Sequence, residues 1–212
     1  MALTLTTPNT ILGVLEPKTN TERLLSNVAV VLIGSLLLAA AAVTKVPLQP
    51  VPVNLTTFAV AALAAGFGWR IGVATVALYI VEGLSGLPFF ANGGGLAYVM
   101  SPTFGFILGY LPMAYIIGQA ADRGASGRVV MLFIAMLIAD AVVFAFGYLY
   151  LLSAAGIIAS AGGALPKWLN PADLAGTAYN VAVKPFLLWD ALKMLFAALT
   201  VTGLWTLSKK RA

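Results

Sequence analysis

The sequence predicts an all-α integral membrane protein with six transmembrane helices in a compact bundle. Two observations lead to this fold class. Of the 212 residues, 61% are hydrophobic and only 9% are charged, whereas a soluble domain has about 25% charged residues. The hydrophobic residues also fall into six long runs separated by short polar or glycine- and proline-rich segments. A surface with so few polar side chains is suited to lipid rather than to water.

The residue types that are missing exclude several kinds of chemistry. The chain has no cysteine and no histidine, which removes disulfides, thiol nucleophiles, imidazole bases and the commonest zinc ligands. It also has no G-x-x-x-x-G-K-[ST] motif, so it has no loop of that type for ATP phosphates. We therefore expect no catalytic residues, no metal and no cofactor.

The elements follow in order along the chain. Residues 1–27 are mixed and polar and are predicted to form a cytoplasmic leader or a short surface helix, and residues 208–212 form a basic cytoplasmic tail. Between them, residues 28–207 form the membrane domain. Because five comparable runs follow the first one, that run is predicted to be a span rather than a cleaved signal peptide. The six predicted spans are 28–43, 55–69, 71–87, 104–121, 129–152 and 186–207.

The basic residues predict the orientation. Eight lie at one set of span ends and four at the other, and the richer side of a membrane protein is usually cytoplasmic. Both termini are therefore expected in the cytoplasm. The eight are Lys18, Arg23, Arg70, Arg123, Arg128, Lys209, Lys210 and Arg211, and the four are Lys45, Lys167, Lys184 and Lys193.

The three loops on the outer side have unusual sequences. Residues 45–54 contain three prolines, which favour a stiff extended path. Residues 88–97 are a glycine run framed by aromatic residues. Residues 153–184 are long for a connection and contain a helix start with Asn170 as the N-cap and Pro171 in the first turn. Together these loops predict the wall and lid of an outward-facing pocket.

Charged residues inside spans are the main candidates for function, because burying them in lipid is costly. Asp190 and Lys193 are spaced i,i+3 in the last span and share one helix face. They form either an ion pair that only neutralises both charges or part of a ligand site, and we favour the ligand site. Asp140 lies deep in the fifth span, where it serves either proton coupling or, as we prefer, a hydrogen bond to a neighbouring helix. Glu82 either faces the same pocket or extends its carboxylate to water or to Lys45.

Polar and aromatic residues near the outer loops could also contact a ligand. Asn92 offers an amide beside glycines that allow close backbone approach. The aromatic residues either stack on a ligand or form an ordinary interface belt, and for any single one the belt is favoured. They are Tyr79, Phe89, Phe90, Tyr98 and Trp189.

Small residues recur at four-residue spacing, which permits close helix approach. Most of these pairs are expected to serve packing inside the bundle. Ser35 and Ala39 in the first span either dock another membrane subunit or join the internal packing.

Four segments carry a family resemblance. They are Val51-Pro-Val-Asn-Leu-Thr-Thr-Phe-Ala-Val60, Gly86-Leu-Pro-Phe-Phe-Ala-Asn-Gly-Gly-Gly95, Ser101-Pro-Thr-Phe-Gly105 and Lys184-Pro-Phe-Leu-Leu-Trp-Asp-Ala-Leu-Lys193. The second and fourth match the family patterns G-L-P-V-F-A-x-G and P-F-x-x-x-D-x-x-K. The chain resembles, over residues 28–207, the biotin-specific substrate-binding (S) component of the energy-coupling-factor (ECF) vitamin transporters, the BioY family.

This resemblance implies an S-component fold that captures biotin from outside for ATP-driven uptake, without enzymatic activity of its own. It implies a membrane coupling (T) subunit and two ATPase subunits as partners, a bacterial or archaeal-type cell membrane as the location, and no nucleic acid. It places Ser35 and Ala39 against the coupling subunit. Thr56 stands where the family usually has glutamine. The implied biotin-binding residues are Asn92, Asp190, Lys193, Gly93, Phe90, Tyr98 and Thr56.

Three other functions were weighed. An S component for another vitamin, such as thiamine or riboflavin, is disfavoured by the Asp190-x-x-Lys193 pattern with the glycine loop. An intramembrane enzyme would need Asp140 and Asp190 as a pair, and we expect these two acids at different depths. A purely structural subunit would not need a buried Asp–Lys face.

Overall fold

The computed structural model describes residues 9–11, 20–46, 51–160, 165 and 167–211. Within these ranges the chain forms seven α-helices, one two-stranded antiparallel sheet and two short 3-10 helices, Leu96–Met100 and Ala125–Gly127. The helices and strands in chain order are α1 Asn20–Val43, β1 Lys45–Val46, β2 Val53–Asn54, α2 Thr56–Phe67, α3 Trp69–Leu84, α4 Phe104–Asp122, α5 Val129–Ser160, α6 Leu174–Ala182 and α7 Leu187–Arg211.

The predicted all-helical membrane class is confirmed, whereas the count of six spans stays a prediction. Four helices are long and apolar enough to cross a membrane: α1, α4, α5 and α7. The other two predicted spans correspond to α2 and α3, which have 12 and 16 residues. Both are shorter than the roughly 20 residues needed to cross the hydrocarbon core without distortion.

Helices α2 and α3 are separated by a single glycine. Gly68 has φ +86°, a left-handed conformation that glycine adopts at little cost and that ends α2 abruptly. The two helices then pack closely, since a Cβ added to Gly72 would lie 3.0 Å from the Cα of Ala64. The predicted spans 55–69 and 71–87 were likewise separated by a single residue, Arg70.

Helix α4 lies in the middle of the bundle, where it packs against α2, α3 and α5. Its residues Met113, Ala114 and Ile117 are completely buried. Helix α2 is also central and packs against α7 and α1. The outer faces instead carry exposed large apolar side chains, such as Leu36 and Leu149. So much exposed apolar surface is expected of a chain that faces lipid.

The first two predicted outer loops fold against the same end of the bundle. Strands β1 and β2 pair with Lys45 opposite Asn54, while residues 47–50, with two of the three prolines, lie outside the described residues. In the second loop, Gly95 N–H donates to Gly83 O at 2.7 Å. Gly93 has φ +118° and pairs with Phe90. The glycine run is therefore an ordered turn that folds back on the end of α3.

Two helix starts differ from the sequence prediction. Helix α6 begins after Asp173, whose side chain accepts a hydrogen bond from Gly176 N–H at 2.9 Å. The prediction of Asn170 as the N-cap was therefore wrong: its Oδ1 accepts from Ala172 N–H at 3.0 Å and shapes the preceding turn. Helix α1 begins at Asn20, ahead of the apolar run, because helical structure continues through polar residues that apolar patterning does not detect.

Candidate ligand-binding site

A cavity lies between the helix ends and the outer loops, in the region where the sequence predicted a pocket. The space between its lining atoms is about 620 Å³, including the part that is open to solvent. Six helices contribute, with Ala42 from α1, Thr56 and Thr57 from α2, Tyr79 from α3, Tyr110 from α4, Asp140 from α5, and Asp190 and Lys193 from α7. Residues 51–54, Ala91 and Tyr98 add lining from the outer segments.

Asp190, which is buried, and Lys193, whose side chain is 14% exposed, form an ion pair in the first two turns of α7. Thr57 joins both partners, because its hydroxyl donates to Asp190 Oδ1 at 2.8 Å and accepts from Lys193 Nζ at 3.0 Å. Lys193 Nζ also donates to the backbone oxygen of Asn54 at 3.0 Å. Asp190 lies near the N-terminus of α7, where the helix dipole favours a negative charge.

The donors and acceptors of this cluster are not equally used. An ammonium has three N–H donors, and Lys193 directs them to Asp190, Thr57 and Asn54. Asp190 uses Oδ1 for both Lys193 and Thr57. Within the described part of the chain, no hydrogen bond is formed to Asp190 Oδ2. The cluster therefore has an acceptor available for a ligand and no spare donor.

Sequence reasoning missed Thr57 and Asn54. Asn54 ends β2 and Thr57 lies in the first turn of α2, and Asn54 Oδ1 accepts from the backbone N–H of Thr56 at 3.1 Å, which satisfies one N–H of that turn. The signal was present in the Asn54-Leu-Thr-Thr57 segment, since polar residues at a helix start are typical caps. Pairing that start with α7 required the tertiary structure.

Thr56 and Tyr98 are brought to the cavity, as the resemblance implied. Thr56 is 1% exposed, and its Oγ1 makes no hydrogen bond of ordinary geometry. The hydroxyl of Tyr98 lies 3.0 Å from Thr103 Oγ1, and both residues line the cavity. Tyr98 therefore presents an aromatic ring whose polar end is already satisfied.

Phe90 is not part of the cavity lining. It is completely buried and packs on Tyr79 and Tyr98, with ring centroids 5.4 Å and 4.7 Å away. Its ring also lies against Gly83, where a Cβ would overlap it. Phe90 thus supports two cavity-lining rings from behind, a role that differs from the predicted cover over the ligand.

Asn92 and Gly93 lie on the outer side of the loop rather than in the lining. Asn92 is exposed, and its Oδ1 accepts from Lys45 Nζ. Lys45 also donates to the backbone oxygen of Ala91, which does line the cavity. Lys45 therefore joins the first outer segment to the second at the mouth of the cavity.

Asp140 differs from the sequence expectation, whereas Glu82 fits one of its two alternatives, a side chain outside the pocket. Glu82 is half-buried outside the cavity lining, with a buried Oε2 that has no hydrogen-bond partner. Asp140 lines the same cavity as Asp190. The two acids therefore share one cavity, which the sequence did not predict, and their expected difference in depth stays a prediction. Nor does Asp140 make the preferred hydrogen bond through Oδ1, which is buried without a partner.

Ser35 and Ala39 lie on the face of α1 that is covered by the rest of the chain. Ser35 is completely buried and Ala39 is 7% exposed, and Ser35 Oγ donates to Leu32 O at 2.9 Å. Neighbouring Gly34 lies against Thr75 of α3. The structure thus places both residues in internal packing, and docking of another subunit there would require them to be uncovered.

The geometry can be compared with known proteins. A sequence model of the family described as the BioY family matches residues 15–210. The chain belongs to the BioY family. The match includes the six described helices α1 to α6 in full and α7 up to residue 210.

Relatives in this family carry transporter names. A probable biotin transporter BioY from Lysinibacillus sphaericus is 35% identical over 136 residues, which are 63% of this chain and 63% of that protein. The biotin transporter BioY of Thermotoga maritima is 37% identical over 91 residues, 42% of this chain and 54% of the relative. The matched part thus spans between about half and two thirds of these relatives.

The fold also matches a solved structure. A crystal structure of the S-component for biotin from an ECF-type ABC transporter superposes with a TM-score of 0.69. The likeness covers 89% of this chain and 94% of that chain at 16% sequence identity. At this identity the comparison shows a shared fold, and the S-component architecture is thereby confirmed.

Proposed function

We propose that this chain is the biotin-binding S component of an ECF-type transporter and that biotin occupies the cavity beside Asp190. Family membership supports the transporter class, since the relatives are named biotin transporters. The observation that carries the proposal is the buried Asp190–Lys193–Thr57 cluster, which presents a carboxylate oxygen to the cavity and no spare donor.

The chemistry of the cavity fits the ureido group of biotin. The cavity contains two carboxylates, Asp140 and Asp190, and one ammonium, Lys193, whose N–H donors are already used. Such a lining favours a ligand with N–H donors and no negative charge nearby. The ureido ring is neutral and has two N–H groups, and the apolar bicycle fits beside Tyr79, Tyr98 and Tyr110.

The same charges set the orientation of the ligand. The valerate carboxylate of biotin is repelled by the two acids of the inner cavity, so it is directed toward the mouth. There Lys45 bonds to Ala91 and Asn92. An outer groove shared by Lys45 and Lys193 adjoins this mouth. In this arrangement Asn92 and Gly93 act at the carboxylate end rather than on the ureido ring.

The membrane arrangement is part of the proposal. Residues 28–207 form a six-span domain in the cell membrane, with residues 1–27 and the basic tail 208–212 in the cytoplasm. The distribution of basic residues, eight on one side and four on the other, supports this orientation. A membrane coupling subunit and two ATPase subunits supply the energy, because this chain has no motif for ATP phosphates.

Equilibrium binding tests the proposal. The purified full chain, reconstituted in lipid nanodiscs, is titrated with radiolabelled biotin, and unlabelled thiamine and riboflavin serve as competitors. We expect saturable binding of one biotin that neither competitor displaces. Absence of saturable binding would contradict the proposal, and displacement by thiamine or riboflavin would assign the chain to another vitamin.

A further inference from the structure

Asp140 is a buried acid that the family motifs do not include. It lies in the middle of α5 and is 5% exposed. Its Oδ1 has no hydrogen-bond partner. The next lining residues of the same helix, Val143 and Phe144, are apolar, so α5 itself offers no polar group to the cavity at the adjacent turn.

An unpartnered carboxylate oxygen in this position is costly to the folded chain. Burying a polar group without a hydrogen bond destabilises a protein, and an acid in a membrane span is rare for the same reason. An apolar side chain of similar size would fill the space without that cost. The acid is therefore explained best by a ligand that donates to it.

The cavity is also lined by a second carboxylate, that of Asp190, with one oxygen that accepts no hydrogen bond within the described residues. Asp190 Oδ2 receives no hydrogen bond within the described residues, since Lys193 and Thr57 both use Oδ1. Asp140 and Asp190 belong to different helices, α5 and α7, which pack against each other and line one cavity. Two acceptors on two cavity walls match a ring with two N–H donors.

We propose that Asp140 is a ligand-binding residue that accepts a hydrogen bond from one ureido N–H, while Asp190 Oδ2 accepts from the other. The inference rests on the proposed function and assigns a role to an acid outside the recognised motifs. It also explains selectivity, because a ligand without two N–H groups leaves one carboxylate buried and unpaired.

Three variants separate binding from structure. Asp140→Leu removes the acceptor, and Asp140→Asn keeps a carbonyl oxygen at nearly the same place. Glu82→Gln is the matched control, because Glu82 also has a buried, unpartnered oxygen but lies outside the cavity lining. We expect biotin affinity to fall by about 10- to 150-fold in Asp140→Leu, the range for a lost hydrogen bond to a charged acceptor. Asp140→Asn should lose less, and Glu82→Gln should lose nothing.

Thermal stability separates a binding role of Asp140 from a structural role, because the two roles predict different shifts in the unfolding temperature. Without biotin, Asp140→Leu should unfold at the same temperature as the unmodified chain or higher, since no internal hydrogen bond is lost. A structural acid would instead show a lower unfolding temperature with unchanged biotin affinity. That result, in either Asp140 variant, would overturn the inference.

Methylated ligands identify the contact. Biotin analogues methylated on one or the other ureido nitrogen each lack one N–H donor. In the unmodified chain both should bind at least about 10-fold more weakly than biotin. The Asp140→Leu variant should bind one analogue nearly as tightly as it binds biotin. The Asp190→Leu variant should do the same for the other analogue. If the unmodified chain binds biotin but Asp140→Leu discriminates against both analogues as before, the inference is wrong and the proposed function stands. If the unmodified chain does not bind biotin, both fall.

Discussion

Asp190 and Lys193 are paired one turn apart at the start of α7, and both are held by the single hydroxyl of Thr57 at the start of α2. Two helix N-termini thus meet at one buried charge cluster. Because Lys193 has used its donors within the chain, the cluster meets a ligand through the carboxylate of Asp190. Within the ion pair, Lys193 holds that carboxylate in place and offsets its negative charge.

Substitution of Asp190 tests this relationship. Asp190→Asn removes the charge from the acceptor and leaves Lys193 without its counter-ion. A hydrogen bond to a charged group contributes about 1.5–3 kcal/mol, so biotin affinity should fall by roughly 10- to 150-fold. Isothermal titration calorimetry measures the change, and Asp173→Asn, an exposed N-cap that asparagine also fills, is the control. Unchanged affinity in a folded Asp190 variant would reduce the pair to a structural role.

The hydroxyl of Thr57 is predicted to matter for stability as well as binding. Thr57→Val leaves one donor of Lys193 without its acceptor and removes one of the two contacts of Asp190 Oδ1, at a cost of about 1–3 kcal/mol in the free energy of unfolding. Thr202→Val is a matched control on α7, because the buried hydroxyl of Thr202 has no hydrogen-bond partner. Thermal unfolding in the same detergent should show a lower midpoint for Thr57→Val and no decrease for Thr202→Val. Equal midpoints would mean that the cluster tolerates the loss of its bridge.

Larger side chains on α1 should lower the stability of the chain only where the replaced small residue is buried. Ser35→Leu and Ala39→Leu insert side chains where α1 is covered by the bundle, and such overpacking costs about 1–3 kcal/mol. Ala40→Leu is the control, since Ala40 is exposed on the same helix. We expect lower unfolding midpoints for the first two variants only. Stable Ser35 and Ala39 variants that fail to co-purify with a coupling subunit would instead support docking at these positions.

The glycine loop should be sensitive at Gly94. A Cβ at this position would overlap the backbone oxygen of Leu87 and lie 2.8 Å from that of Gly83, so Gly94→Val displaces the loop that carries Ala91 and Tyr98. Biotin affinity should fall by at least about tenfold, because both residues line the cavity. Gly203→Val is the control, since that helical glycine faces open space. Fluorescence-detected biotin binding by both variants provides the comparison, and full affinity in Gly94→Val would exclude the loop from the site.

The sequence was sufficient for the membrane class and for the approximate place of six helices along the chain. Apolar patterning detects long lipid-facing segments well, and it located all six corresponding helices. It did not settle α2 and α3 as spans, because their 12 and 16 residues are below the usual length. The start of α6 at Leu174 was misplaced, since capping depends on local hydrogen bonds that several polar residues can make. Helix α1 extends ahead of the first predicted span through polar residues that apolar patterning does not detect.

The candidate site was predictable only where residues are close in sequence. Asp190 and Lys193 share a helix face, so their spacing alone indicated a pair. Thr57 and Asp140 reach the same cavity from helices α2 and α5, and nothing in a single sequence specifies that meeting. Likewise, the exposure of Asn92 and the burial of Phe90 behind Tyr79 depend on how the loop folds back.

A structure of the full chain determined with biotin bound tests the central claim most directly. We predict that the ureido ring lies between α5 and α7, with one nitrogen within about 2.7–3.2 Å of an Asp190 oxygen. The bicycle should lie beside Tyr98, and the carboxylate should point toward Lys45. Biotin bound outside the cavity lined by Thr57, Asp140 and Asp190, or bound in it with its carboxylate facing the two acids, would contradict the account.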